Sequence, residues 1–364
     1  MIAFLPVVLT VRPPLWREAP RPALSGPVED LDAGRFRVHF TRTGADAPPA
    51  DDVDGDGLPD QVGAIADALV DAEAAYLDEG WRPLAGDDGA DGSDAIDVYV
   101  RDVDIYGYST PVRRQDGTWS CFVEIDRGAT VVGSVARSVA THELHHCVEF
   151  RYTATTAAWL FEAAATYEQY SHVVDPVLDF AVGVLYGERL GAPDRKLAAT
   201  DGRFEYAGFL WMKYWSERGG FEPDRLPALW EHLEGADDWQ AGLDAAAEDA
   251  FGAGLAETYA DWAGWNTFAC SGSDGAHYLD QPIACIADVT VPYAAWDGGE
   301  RAIVHDEHPF TAEYLALDAA ERTEVTCHGD EGLRIEVLAV DRTGAEVGAG
   351  AGGDGDPIAL AVPD

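Results

Sequence analysis

The chain is poor in positive charge. Its 364 residues carry 24 Lys and Arg against 66 Asp and Glu, a net charge of -42, and no basic cluster offsets it. A surface of that sign repels phosphate backbones and anionic lipid, which argues against nucleic acid as a partner. Long apolar runs are missing as well. No stretch approaches the roughly 18 residues of a membrane span, so no spanning segment is expected. The apolar run at residues 2–10 has no basic flank before it, is short for a signal-peptide core and contains Pro6; it reads as a truncated export signal or as a strand. The remainder, 47% hydrophobic with 11 Trp, can bury a sizeable core in one large or two domains. The acidity itself fits a solvated surface, an affinity for divalent cations or a tolerance of salt, and composition does not choose among them.

One short motif carries chemistry. His142-Glu143-Leu144-His145-His146 sets two imidazoles four residues apart, about 40° from each other around a helix axis, where one metal ion can take both. Glu143 projects about 100° from His142, beside the position where an attacking water would give up its proton. The flank supports a helix: residues 132–141 contain no Pro, and Val135 and Val139 fall in helical phase with His142 and His146. Catalytic zinc takes three protein ligands and keeps a fourth position open. The extended motif HExxHxxGxxH fails here, because Glu149 and Tyr152 stand where it needs Gly and His. A following helical stretch, residues 157–168, offers Glu162 as the third ligand instead. The plain alternative is a pair of ordinary helix histidines with Glu162 solvating a second helix. A purely structural metal site is a further alternative, although it would not need Glu143.

Three neighbours each have two possible parts to play. Tyr206 is placed to stabilise an oxyanion or is simply a core ring in line with Leu210 and Tyr214. Glu168 either orients a zinc histidine from behind or lies on a solvated face. His145 points about 60° away from the ligand pair and reads as a packing or supporting residue.

Calcium is expected at residues 52–60, which fit DxDxDGxxD. Asp52, Asp54, Asp56 and Asp60 would converge on a hard cation, with the Leu58 carbonyl joining them and Gly57 allowing the sharp turn. Gly63 stands where an EF-hand has its bidentate Glu, so the loop reads as a structural calcium site or a solvated acidic turn. The second acidic stretch, residues 87–94, lacks that register and reads as a loop. Of five cysteines, Cys270 and Cys285 bracket a polar loop, and Cys121 and Cys147 would tie a strand to the metal helix; Cys327 is left over. Spacing does not settle the connectivity, and five reduced core thiols remain the alternative.

The pattern along the chain predicts an α+β protein. Residues 1–35 read as a Pro-rich leader or irregular segment. Strands are expected at 36–41, 95–103 and 119–125, with a helix after the acidic loop, marked by Val62, Ile65, Leu69, Ala72 and Tyr76. Helical patterns return at 206–218, 226–233, 239–250 and 255–268. From residue 289 short alternating runs at 310–317, 323–327 and 333–341 predict a small C-terminal β domain, with the Gly-rich residues 348–355 as a flexible loop. The boundaries are 36–288 for the main domain and 289–364 for the β domain.

Taken together, the acidic loop and its helix, Gly80-Trp81, the Asp97-Val98-Tyr99 strand, Gly107-Tyr108, HExxH, Trp159-x-x-Glu162 and Tyr206-Ala207-Gly208-Phe209-Leu210 resemble secreted bacterial zinc metallopeptidases of the gluzincin type. The resemblance covers roughly residues 36–270. Its departure is Ala163, where the group usually has Gly. It implies a zincin-like domain of mixed sheet and active-site helix, zinc on His142, His146 and Glu162, Glu143 as general base, and peptide or protein substrates outside the cell. The rival expectation is a non-catalytic secreted module in which zinc and calcium only stabilise a binding or adhesion surface.

Overall fold

Period-2 alternation builds the central sheet, and helical periodicity builds everything packed on it. The computed structural model describes residues 20–128, 133–279, 292–296, 310–312, 314–317, 322–326, 335–340, 346–352 and 357–361. Five strands, β1 (Val28–Ala33), β2 (Phe36–Thr41), β3 (Ile96–Arg101), β4 (Gly107–Arg113) and β5 (Trp119–Asp126), form a mixed sheet in the order β1-β2-β3-β5-β4. The central pairs β2–β3 and β3–β5 are parallel, whereas β1 and β4 run antiparallel at the two edges. Phe36, Val38, Phe40, Ile96, Val98, Val100, Val123 and Ile125 all point to one face, into the main core. His39, Asp97, Tyr99, Phe122 and Glu124 alternate with them on the other.

Helix α1 (Asp60–Asp78) crosses from β2 towards β3 and lays Val62, Ile65, Leu69, Ala72 and Tyr76 into that core, the stripe expected of it. Helix α2 (Gly133–Glu149) packs against α1, β4 and β5, and α3 (Ala158–His172) packs on α2. The chain then continues as α4 (Pro176–Gly191), α5 (Phe204–Ala207), α6 (Phe209–Glu217), α7 (Arg225–Leu233), α8 (Trp239–Phe251) and α9 (Leu255–Trp265). Trp211, Trp215, Trp230 and Trp262 are fully buried among these helices, which accounts for much of the aromatic content. The protein is therefore α+β, with a mixed sheet followed by helices. Among the described residues no helix is long and apolar enough to cross a membrane.

Beyond the helices lie β6 (Tyr293–Trp296), β7 (Tyr314–Leu317), β8 (Arg322–Thr326), β9 (Ile335–Val340), β10 (Glu346–Gly352) and β11 (Pro357–Ala361), paired as β6–β7, β8–β11 and β9–β10. The expected loop at 348–355 is overturned: most of it is β10, antiparallel to β9. Ladder bonds use only the main chain, so Gly and Ala can join a strand that their side chains do nothing to announce. The irregular leader also ends early. Residues 28–33 form β1, joined to β2 by a two-residue turn in which Gly34 takes φ 59°. Its acids, Glu29, Asp30 and Asp32, are poor strand formers that an edge strand tolerates and even favours. Helix α4 and edge strand β4 were not anticipated as elements. The apolar run at 2–10, Cys285 and Cys327 lie outside the described residues.

Cys121 of β5 and Cys147 of α2 are joined in a disulfide, with Cα atoms 5.5 Å apart. It fixes the middle of the sheet to the turn of α2 that carries His146. Cys270 is disulfide-bonded too.

Candidate metal centre

Helix α2 presents His142 and His146 on one face because they are four residues apart, and α3 crosses that face with Glu162. His142 Nε2 lies 3.3 Å from Glu162 Oε2, and His146 Nε2 lies 3.9 Å from the same oxygen. All three residues are buried, and their candidate ligand atoms fall within 4.8 Å of one another. Ligands held about 2.0–2.1 Å from one ion at the tetrahedral angle sit about 3.3 Å apart, so the grouping fits a single metal ion with little movement. The charges fit as well. Glu143, Glu149 and Glu162 are all buried around this region, an excess of carboxyl groups that a divalent cation would balance. Burial also holds His146 well below the usual imidazole range, with the charges of His142 and His145 adding to it, so it is the neutral ring that ligation requires.

Glu149 packs behind His146. Its Oε2 lies 2.7 Å from His146 Nδ1, and with the imidazole proton on Nδ1 the Nε2 lone pair faces His142 and Glu162. Burial pushes the Glu149 carboxyl well up, and the charges of Glu162, Glu168 and Glu143 push it further; a bound cation would oppose both. Glu149 was read from sequence only as the residue that breaks the HExxHxxGxxH pattern. The signal that could have revealed it is its spacing, three residues after His146 on the same helical face. Glu149→Leu is expected to weaken metal binding by about 10- to 100-fold while the helix content survives. Competition with a chromophoric chelator measures this, and an unchanged affinity would remove Glu149 from the site.

Glu143 turns from the histidines towards edge strand β4. Ser109 Oγ lies 2.8 Å from Glu143 Oε2, to which it can donate, and 2.7 Å from the Glu143 carbonyl oxygen. The strand comes so close that a Cβ on Gly107 would lie 2.7 Å from Glu143 Cγ and 2.8 Å from Oε1. Only glycine leaves that carboxylate its place. Burial raises the Glu143 carboxyl to about 7, against the opposing pull of His142 and the Ser109 hydroxyl.

Tyr206, on the short α5, is brought to the same cluster, its ring centroid 6.2 Å from that of His142. Its buried hydroxyl stays protonated: burial comes first, then the negative charges of Glu162, Glu205 and Glu143. Helix α5 can approach because Gly208 faces α3, where a Cβ would meet the Ala163 Cβ at 3.0 Å. Ala163 is thus accommodated by the bare glycine opposite it.

Other expectations fare differently. Glu168 does not reach a ligand histidine; it meets His172 Nε2 at 3.1 Å, and Glu79 meets the same nitrogen at 3.1 Å. Glu168 lies six residues beyond Glu162, more than a turn and a half, which carries it past the ligands towards the end of α1. Burial alone would pull His172 down, but Glu168 and Glu79 outweigh it and hold the imidazolium up to about 10. The folded state therefore keeps a proton on His172 that the unfolded chain releases near pH 6.5, and the stability this imidazolium contributes is full below that pH and lost as pH rises through 10. The melting temperature is expected to fall between pH 6.5 and 10, and by less in His172→Gln; parallel slopes would exclude the triad as the cause. His145 is a packing residue, edge-on to Trp81 and Tyr76 with centroids at 4.7 and 5.0 Å.

In the acidic loop, carboxylates of Asp52, Asp54 and Asp60 come together as one of four groups among the described residues that could hold a metal ion. Asp56 stands apart from that group, its Oδ1 accepting from the Leu58 N–H at 2.7 Å, and the Leu58 side chain packs on the core. Asp52, Asp54 and Asp60 likewise accept backbone N–H groups of the loop.

No family model matches the chain, and no curated protein matches it.

Proposed function

We propose that this chain is a zinc-dependent endopeptidase with a zincin-like catalytic domain of the gluzincin type, acting outside the cell. The observation that carries the reading is the convergence of His142, His146 and Glu162, with a fourth side chain, Glu143, held next to them by β4 and not used as a ligand. Zinc on the three ligands would supply Lewis acidity, acidifying water and polarising a carbonyl. The chain's own groups supply the remainder. Glu143, fixed by Ser109, accepts the proton of the attacking water and returns it to the leaving amine. Tyr206 keeps its proton and donates a hydrogen bond to the oxygen on which negative charge develops.

Peptide is favoured over other amides or esters by β4. Among the described residues it is the last strand of its sheet, and an extended substrate added to its outer edge by main-chain hydrogen bonds would run along the strand that holds Glu143. Export is supported by the buried Cys121–Cys147 disulfide, which belongs in an oxidising compartment. Calcium at Asp52, Asp54 and Asp60 would stiffen the entry to α1. The test is metal analysis followed by digestion of a diverse peptide mixture with the zinc-loaded protein, read by mass spectrometry. One zinc per chain and a consistent set of internal cuts are expected. Zinc bound without any cut would overturn the peptidase reading.

A further inference from the structure

We infer that the cavity beside Arg189 binds one small monovalent anion, with chloride as the fitting ion. Arg189, on α4, is buried, and among the described residues no carboxylate pairs with it. Its neighbour Glu188 is already paired with Arg203. The guanidinium lies 4.8 Å from the ring centroids of both Phe204 and Trp262, and its polar neighbours are the hydroxyls of Tyr259, Tyr314 and Tyr278. Nη1 is buried with no hydrogen-bond partner. In so acidic a chain, a buried cation that faces no acidic side chain among the described residues is an arrangement that calls for a counter-charge. Two aromatic faces compensate only in part.

The space for that counter-charge lies alongside. Arg189, Tyr259, Trp262 and Asn266 line a cavity of ≈ 10 Å³, room for about one water-sized occupant. A monatomic ion fits that space better than phosphate or a carboxylate. Asn266 accepts from the Tyr278 hydroxyl at 2.7 Å through Oδ1, so its amide NH2 is the group it can offer to an occupant. Two kinds of N–H donor thus border a space of monatomic size. Water could accept from both but would leave the guanidinium charge uncompensated. An anion there would hold α4 and α9 against Phe204, the residue two before Tyr206, and the inference does not depend on the peptidase reading.

The test compares thermal unfolding of the full chain in sodium chloride and sodium gluconate at equal ionic strength, which separates the ion from general screening. Chloride is expected to raise the melting temperature saturably, by about 3 °C or more, and Arg189→Met to abolish the chloride-specific part. A crystal soaked in bromide is expected to show an anomalous peak at Arg189 Nη1. Equal melting in the two salts, a chloride effect that persists in Arg189→Met, or a bromide-soaked crystal with only water at Arg189 would each overturn the inference. Should Arg189→Met fail to fold, the bromide experiment on the unmodified protein decides it.

Discussion

Glu143→Gln is expected to lower peptide turnover by about 10²- to 10⁴-fold while leaving zinc content and fold intact. The amide has the shape of the carboxylate, keeps an oxygen for Ser109 Oγ and fits under Gly107, where nothing larger than hydrogen is tolerated on the strand. What it cannot do is accept and return a proton. The folded state has little reason to object, because burial already disfavours the ionised carboxylate and raises Glu143 to about 7. The effect should therefore fall on kcat, with zinc stoichiometry and melting temperature close to those of the parent. Retained turnover would refute Glu143 as the base. Loss of zinc together with turnover would instead mark Glu143 as part of the site's framework.

Removing the Cys121–Cys147 bridge is expected to cost the largest share of stability of any change outside the metal centre. The bond closes a loop of sequence separation 26, for which the chain-entropy relation gives about 3.5 kcal/mol. Both cysteines are buried, and the loop between them contains most of α2 with His142, Glu143 and His146. Cys121→Ser with Cys147→Ser should lower the melting temperature by several degrees and weaken zinc binding, because His146 precedes the anchor directly. Calorimetry of the double variant beside the reduced parent measures the first effect and a chelator titration the second. A variant as stable as the parent would show that packing of α2 on the sheet suffices without the bond.

The parts of the fold that were legible in sequence are those where one local pattern had one physical solution. Val62 to Tyr76 repeat at helical spacing, and α1 follows. The alternating residues of β2 and β3 place Val38 and Val98 in the core and His39 and Asp97 opposite, as strands must. HExxH with Val135 and Val139 in phase specified both a helix and the side of it that meets Glu162. The Gly-rich β10 and the acidic β1 gave no such signal, since partners in β9 and β2 make them strands.

The candidate centre divides in the same way. Residue types and spacing along one helix determined His142, His146 and Glu143, and a helical pattern with one well-placed acid suggested Glu162, because four-residue spacing puts side chains on one face whatever surrounds them. Only tertiary structure decided the rest. Glu149 rather than Glu168 meets His146, Ser109 holds Glu143 from a strand 34 residues away in sequence with Gly107 leaving it room, and Gly208 lets Tyr206 come near past Ala163. Those choices depend on which surfaces meet when α2, α3, β4 and α5 pack, and distance in space between separate elements leaves no periodic trace in the chain.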